Sequence, residues 1–196
     1  MLLKDKLSGH RLLLASKSPR RRQLLEGCGL SFEIVDGREA EELYPEGMAA
    51  EDVAEYLSGL KSNLWADILA EGDVLITADT VVIAGGEILG KPADREEAVR
   101  MLGMLSGADH EVITGVTLRS TSRLRSFSCR SRVSFRPITA EEIEYYIDTY
   151  RPYDKAGAYG IQEWIGYVAI KGIEGSFYNV MGLPIQRLYV ELEKFV

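Results

Sequence analysis

The chain has 196 residues, 46% of them apolar and 27% charged, which is enough to build a folded core and excludes an intrinsically disordered protein. Its formal charge of −7 argues against general binding to the nucleic-acid backbone, and its apolar runs are far too short to span a membrane. Because the N-terminus also lacks the features of a signal peptide, we expect a cytoplasmic protein with neither nucleic-acid nor membrane partners.

Two cysteines, Cys28 and Cys129, lie about a hundred positions apart and predict neither a zinc site nor a disulfide framework.

The predicted elements alternate between strand and helix, which favours an α/β fold. No repeat or linker divides the sequence, so we expect a single domain over residues 1–196. The predicted strands are 11–15, 32–36, 74–83, a short one ending at 89, 111–119, 125–136, 165–171 and 176–180. The predicted helices are 19–27, 50–70, 95–105, 140–150 and one beginning after Pro184, and the long helix 50–70 carries the apolar stripe Val53, Leu57, Leu60, Leu64 and Ile68.

The segment Ser-Lys-Ser-Pro-Arg-Arg-Arg, residues 16–22, directly follows the first strand. Ser18 fits a helix N-cap and Pro19 the first helical position. The start of such a helix offers unpaired backbone N–H groups to a phosphate, with the hydroxyls of Ser16 and Ser18 close by. The segment therefore predicts an anion site, although a capped amphipathic helix with solvated arginines would have the same sequence.

Helical spacing separates the three arginines of this segment. Arg20 and Arg21 lie one turn before Leu24 and Leu25, so all four share one face, and we expect both arginines to point inward. Arg22 lies on the opposite side, where a surface ion pair with Glu26 is expected.

Asp79 lies at or within a buried strand, where a carboxylate is costly without a partner. A divalent cation would be one such partner, and a capping role or an internal salt bridge would be others. Its neighbour Thr80 points to the opposite face if the strand is regular.

Other charged candidates are less specific. Lys61 lies on the flank of the apolar stripe, and Lys91 occupies the rigid turn Leu-Gly-Lys-Pro, so either could extend to solvent or contact an anion. Glu41 and Glu42 end an acidic loop that would either be solvated or contribute a metal ligand. The five arginines between residues 119 and 132 are expected to form a solvated face of a hairpin rather than a nucleic-acid or partner patch.

The segment 154–162 contains small residues that permit a close backbone approach to a ligand. It ends at Gln162, whose amide is both a donor and an acceptor and so suits the imide edge of a pyrimidine base. No Ser/His/Asp set, GxxxxGK[ST] motif or GxGxxG motif can be assembled.

Six segments in order resemble the Maf family of nucleoside triphosphate pyrophosphatases. They are residues 15–25 (ASKSPRRRQLL), 77–82 (TADTVV), 89–92 (LGKP), 110–115 (HEVITG), 154–162 (DKAGAYGIQ) and 179–184 (NVMGLP). The resemblance implies a mixed α/β fold with a twisted sheet and flanking helices, two lobes around a central cleft, similar to inosine triphosphatases. It also implies a homodimer, a divalent metal (Mg, Mn or Co), and hydrolysis of a nucleoside triphosphate to the monophosphate and pyrophosphate.

The resemblance also implies roles for individual residues. Asp79 matches the catalytic acid and Glu42 an acidic position near the metal, with Glu41 as the alternative in a loosely aligned loop. Phosphate-side positions are matched by Ser16, Ser18, Arg20, Arg21, Lys61 and Lys91.

Three positions separate pyrimidine-specific family members from those that act on 7-methyl-GTP. Where the latter have Trp, Gln and Glu, this sequence has Arg20, Thr80 and Gln162, so it resembles the members that act on dTTP and UTP. Glu163 departs from the glycine that many members have after this glutamine, and Arg132 replaces a commoner acidic residue. A nucleotide-binding regulator of septum formation and a phosphatase releasing orthophosphate are the alternative functions.

Overall fold

The predicted alternation of strands and helices is present in a computed structural model that describes residues 1–196. The helices are α1 Leu3–Lys6, α2 Pro19–Gly27, α3 Ala50–Asn63, α4 Arg95–Leu105, α5 Ala140–Tyr150, α6 Trp164–Ala169, α7 Phe177–Met181 and α8 Ile185–Phe195. The strands are β1 Arg11–Leu14, β2 Glu33–Ile34, β3 Asp73–Ala84, β4 Glu87–Leu89, β5 Asp109–Arg119, β6 Leu124–Phe135 and β7 Ile170–Glu174. Short 3₁₀ turns cover Leu7–Gly9, Ala66–Ile68 and Ala156–Ala158.

All seven strands belong to one sheet with the order β2-β1-β3-β5-β6-β7, and β4 pairs with β3 off this path. β1 is parallel to both β2 and β3, whereas β4 is antiparallel to β3 and β7 is antiparallel to β6. The sheet is therefore mixed and accompanied by helices, which confirms the predicted α/β class.

The predicted long helix over 50–70 is wrong in its C-terminal third. α3 ends at Asn63, and the chain then turns so that Trp65 packs with Leu13 and Leu75 in the core. Arg38 fixes this turn, because its guanidinium donates to the carbonyl of Leu64 and pairs with Asp67. Consequently Ile68, assigned to the apolar stripe from the sequence, is 39% exposed.

The predicted strands 165–171 and 176–180 are also wrong. Residues 164–169 form α6, with Ile165 and Ala169 buried one turn apart, and the strand β7 begins only at Ile170. The second segment forms α7, where the hydroxyl of Ser176 accepts from the backbone N–H of Asn179 at 3.3 Å. Short apolar runs of this length fit either structure, so tertiary contacts decided between them.

The chain divides into two compact units, and β3, β5 and β6 contribute residues to both. The expected single domain over 1–196 stays a prediction. Unit 1 consists of Met1–Asp79, Thr114–Cys129 and Gly182–Val196, and unit 2 consists of Thr80–Ile113 and Arg130–Met181.

In unit 1 the parallel pairing of β1 with β3 begins at an ion pair. Arg11 donates two hydrogen bonds to the buried carboxylate of Asp73, at 2.9 and 2.7 Å, and so closes the first register pair of the two strands. α3 packs directly on β5, where a Cβ on Gly115 would lie 2.3 Å from the backbone of Ala54 and Glu55. Only glycine allows this close approach.

In unit 2 the predicted helix starts are confirmed. The side chain of Asp94 accepts from the N–H of Glu97 at 2.9 Å at the start of α4. At α5, Thr139 and Glu142 form the reciprocal capping box that the sequence predicts.

Three of the five arginines between residues 119 and 132 form ion pairs with acidic side chains. Arg125 pairs with the buried Glu191, Arg130 with Glu111 and Arg132 with Asp109.

No helix of the structure is both long and apolar enough to cross a membrane.

Candidate active site

The predicted anion-binding segment forms the junction between β1 and α2 in unit 1. Ser18 takes the N-cap position and Pro19 the first helical position, as expected, but the Ser18 side chain accepts no capping hydrogen bond. Instead, the hydroxyl of Ser16 accepts from the Ser18 N–H at 3.2 Å. The side chain of Ser18 therefore does not cap the start of α2. The first N–H groups of the helix are thus suited to bind an anion.

Arg21 points inward, as the helical spacing predicts. Its Nε donates to the carbonyl of Gly182 at 2.8 Å and its Nη1 to the carbonyl of Ala78 at 2.9 Å. Burial lowers the pKa of this guanidinium, while the charges of Asp79 and Glu42 oppose that shift and Arg20 adds to it. Arg21 thus links α2 to the residue before Asp79 and carries positive charge into its surroundings.

The prediction for Arg22 is wrong. Arg22 is half-buried, its Nε is buried without a hydrogen-bond partner, and the expected surface pair with Glu26 does not form. The reason is that α2 is enclosed over more than one face, since Arg20, Arg21 and Arg22 are all half-buried.

Lys61 joins the two carboxylates that the sequence singled out. Its ammonium contacts Oδ1 of Asp79 and lies 2.8 Å from Oε1 of Glu42. Asp79 is 7% exposed, near the middle of β3, whereas Glu42 lies in an exposed loop. Of the two glutamates left open by the sequence, Glu42 is the one that lies against Lys61.

Unit 1 therefore brings together a cluster with opposite charges. The cationic side chains of Arg20, Arg21 and Lys61 outnumber the carboxylates of Asp79 and Glu42 by one. Such a cluster attracts an anion while it keeps a carboxylate available for a cation or a proton.

The carboxylates of Asp79 and Glu42 fit a divalent metal by their chemistry. Both direct an oxygen towards one ammonium, so they already converge on a cation, and hard divalent cations prefer oxygen ligands. No group of three or more His, Cys, Asp or Glu side chains is arranged to hold a metal by itself. Magnesium is commonly held by one or two carboxylates together with substrate phosphates and water, which is the arrangement that this pair would allow.

The remaining predicted residues belong to unit 2. Thr80 is half-buried on β3, Lys91 is exposed between β4 and α4, and Gln162 is half-buried just before α6. The Oε1 atom of Gln162 is buried and has no hydrogen-bond partner. An unsatisfied buried acceptor is costly, and a ligand N–H would satisfy it.

The small residues of the segment 154–162 serve a contact that the sequence did not predict. Gly157 has a positive φ of 67°, its N–H donates to the carbonyl of Gly90 at 3.0 Å, and a Cβ there would lie 3.0 Å from Val82. Its close backbone approach is therefore made to β3 and to the loop after β4 within unit 2.

Sequence reasoning missed Tyr146 and Lys155, both of which contact Glu163. The available signal was Tyr146 itself, because it lies on the buried face of α5 with Ile143 and Ile147 and its hydroxyl needs a partner there.

The family model described as Maf-like protein matches residues 11–195, so the chain belongs to this family and the resemblance seen in the sequence is confirmed.

Curated relatives match over nearly the whole chain. It is 52% identical over 193 residues to a dTTP/UTP pyrophosphatase of Porphyromonas gingivalis, covering 97% of each chain. It is 50% identical over 188 residues to a dTTP/UTP pyrophosphatase of Bacteroides thetaiotaomicron, covering 96% of this chain and 97% of that one. A solved nucleoside-triphosphatase, the dITP/XTP pyrophosphatase of Mycobacterium abscessus, is 16% identical with a TM-score of 0.41 and covers 95% of this chain and 98% of its own.

Proposed function

We propose that this protein hydrolyses dTTP and UTP to the nucleoside monophosphate and pyrophosphate. The observation that carries the proposal is the bridge of Lys61 between Asp79 and Glu42, with Arg21 bonded to the residue that precedes Asp79. The names of the curated relatives, which match over nearly the whole chain, support the same activity.

In the proposed reaction water attacks the α-phosphorus, and the bond from that phosphorus to the oxygen bridging it to the β-phosphate breaks. The bonding electrons leave with pyrophosphate. Lys61, Arg20, Arg21 and Lys91 offset the negative charge that grows on the leaving group, which is the usual dominant contribution in phosphoryl transfer. Ser16, Ser18 and the N–H groups at the start of α2 bind phosphate oxygens.

Asp79 is the acidic residue of this reaction. As a general base it would take the proton of the attacking water, and with Glu42 it would hold the divalent cation. When bound, that cation supplies positive charge and Lewis acidity to the phosphate oxygens. Magnesium, manganese and cobalt are the candidates.

Gln162 is proposed to read the base, with Arg20 and Thr80 as further specificity positions. The unpartnered Oε1 of Gln162 supports this assignment, because uracil and thymine carry a ring N–H that can donate to it. We also propose that the protein is a homodimer, which light scattering would test, and that it acts in the cytoplasm.

The experiment that tests the proposal is a nucleoside-triphosphate panel with Mg²⁺ or Mn²⁺, in which pyrophosphate and orthophosphate are both measured. Pyrophosphate from dTTP and UTP is the expected product. Orthophosphate as the first product would instead identify a phosphatase, and tight nucleotide binding without turnover would identify a regulator.

The matched variants for this panel are Asp79→Asn and Asp52→Asn. We expect Asp79→Asn to abolish turnover with the fold intact by circular dichroism. Asp52 is exposed in the first turn of α3, so Asp52→Asn is expected to keep wild-type turnover. Near-wild-type activity of Asp79→Asn would contradict the assignment of Asp79.

A further inference from the structure

Glu163 occupies the N-cap position of α6, but its side chain does not cap that helix. Oε2 accepts a hydrogen bond from the hydroxyl of Tyr146, and Oε1 lies 3.1 Å from the ammonium of Lys155. Residues whose side chains cap this position are usually Ser, Thr, Asp or Asn, which bond the first N–H groups of the helix. Here both of its oxygens are directed to other parts of unit 2.

The groups around Glu163 hold its carboxylate in one place. Lys155 is 8% exposed and also pairs with Asp154 at 2.7 Å, while the Tyr146 hydroxyl accepts from the N–H of Gly160 at 2.9 Å. The Glu163 N–H in turn donates to the Gly160 carbonyl at 3.0 Å. Because desolvation offsets much of the gain from a buried ion pair, the principal effect of such a network is on geometry.

Gly160 shows where this carboxylate lies relative to the amide of Gln162. A Cβ on Gly160 would lie 2.9 Å from Cδ and 3.0 Å from Oε2 of Glu163, and 3.1 Å from Nε2 of Gln162. The Glu163 carboxylate and the Gln162 amide nitrogen therefore lie against the same side of Gly160. The other end of that amide, Oε1, is the buried acceptor without a partner.

The charge of Glu163 distinguishes the two ends of the Gln162 amide. The oxygen and nitrogen of an amide have nearly the same shape, so packing alone does not select between the two orientations. A nearby negative charge attracts the NH₂ end and repels the carbonyl end, and partial burial strengthens this effect. The arrangement thus presents Oε1 as the atom available to a ligand.

We propose that Glu163 is a positioning residue for base selection, which fixes the Gln162 amide so that the site accepts uracil and thymine and rejects cytosine. The ring nitrogen that faces Oε1 carries a hydrogen in uracil and thymine, whereas in cytosine it is an acceptor. A cytosine would bring two acceptors together and leave both unsatisfied. The inference rests on the proposed function, because it concerns how the same site chooses its base.

The test compares kcat/KM for UTP and CTP in the wild type and in Glu163→Gln. The substitution keeps the shape and removes the charge, so either end of Gln162 can face the base. The wild type is expected to prefer UTP, and the UTP/CTP ratio is expected to fall at least about fivefold in Glu163→Gln, mainly through KM. Glu144→Gln, at an exposed position of α5, is the matched control and is expected to keep the wild-type ratio.

The ratio separates positioning from a purely structural role, because a loss of folded protein lowers both rates equally and leaves the ratio unchanged. Tyr146→Phe is the second variant: it frees Oε2 of Glu163 but keeps the charge, so a smaller fall in the same direction is expected. If Glu163→Gln does not fold, the UTP/CTP ratio of Tyr146→Phe decides whether Glu163 positions the Gln162 amide.

A variant ratio within twofold of the wild type would overturn the role of Glu163. Equal use of UTP and CTP by the wild type would overturn it too, with the proposed pyrophosphatase activity intact. Failure of the wild type to hydrolyse any pyrimidine nucleotide would overturn the proposed function itself.

Discussion

The ammonium of Lys61 contacts the carboxylate of Asp79, although the two residues lie on different elements, α3 and β3. Lys61 is only 21% exposed at its side chain and Asp79 only 10%, so the contact is partly shielded from water. The same ammonium reaches Glu42 in a loop. Lys61 is thus the cation that keeps two acidic side chains facing one point.

Replacing this cation by Lys61→Met is expected to lower kcat/KM for UTP about a hundredfold, because a positive charge at the proposed phosphate site is lost. In the absence of nucleotide, Mn²⁺ should bind more tightly than to the wild type, since the ammonium no longer competes for Asp79 and Glu42. Calorimetric titration and steady-state kinetics measure the two effects. Lys4→Met, which removes an exposed lysine of α1, is the control and is expected to keep wild-type turnover. Unchanged turnover in Lys61→Met would refute the role of Lys61.

The two carbonyl contacts of Arg21 predict a loss of stability in Arg21→Lys. A lysine cannot donate to the carbonyls of Ala78 and Gly182 in the same forked geometry, so at least one is left unsatisfied. We expect the free energy of unfolding in urea to fall by about 1–3 kcal/mol. Arg132→Lys is the control, because Arg132 is exposed and a lysine can keep its ion pair with Asp109, so the free energy of unfolding should change by less than about 0.5 kcal/mol. Equal effects of the two variants would contradict the prediction.

Gly115 predicts a large effect from a single methyl group. In Gly115→Ala the new Cβ would lie 2.3 Å from the backbone of α3, which cannot yield without moving the helix. We expect a loss of more than about 3 kcal/mol, measured by thermal or urea unfolding. Gly103→Ala in α4 has open space around the new Cβ and should be neutral or stabilising by up to about 1 kcal/mol. A well-folded Gly115→Ala protein would show that α3 does not pack on β5 in this way.

His110 predicts a loss of stability in mild acid. It is 2% exposed, its Nε2 lies 2.8 Å from the hydroxyl of Tyr159, and burial lowers its pKa from 6.5 to about 4. Because the unfolded chain binds this proton more readily, the contribution is present above pH 6.5 and is lost as the pH falls towards 4. The total loss is about 3 kcal/mol.

The measurement for His110 is urea unfolding at several pH values between 7 and 4 in the wild type and in His110→Gln. Groups that titrate in both proteins cancel in the difference between them. The wild type should lose more stability than the variant over this range. An equal loss of unfolding free energy in the two proteins between pH 7 and 4 would contradict the pKa assigned to His110.

Local patterns were sufficient to predict the helix starts. Helices begin where expected at Pro19, Arg95 and Ala140. The side chains of Asp94 and Thr139 cap the last two, whereas proline at the first helical position marks the start of α2 without a cap from Ser18. Each of these signals depends only on residues close in sequence. The inward direction of Arg21 also followed from helical spacing. Local patterns did not predict where α3 ends, the secondary structure of residues 164–181 or the burial of Arg22. Contacts with distant parts of the chain decide these three features.

By itself, the sequence determined the α/β class and the family and supplied the residues of the candidate site, because these depend on periodicity and on motifs of a few neighbouring residues. Only the tertiary structure decided that Glu42 rather than Glu41 lies against Lys61, that Arg21 bonds the carbonyls of Ala78 and Gly182, and that Glu163 accepts a hydrogen bond from Tyr146. These are contacts between segments far apart in the chain. Their free energy depends on burial and on distances that no local pattern encodes.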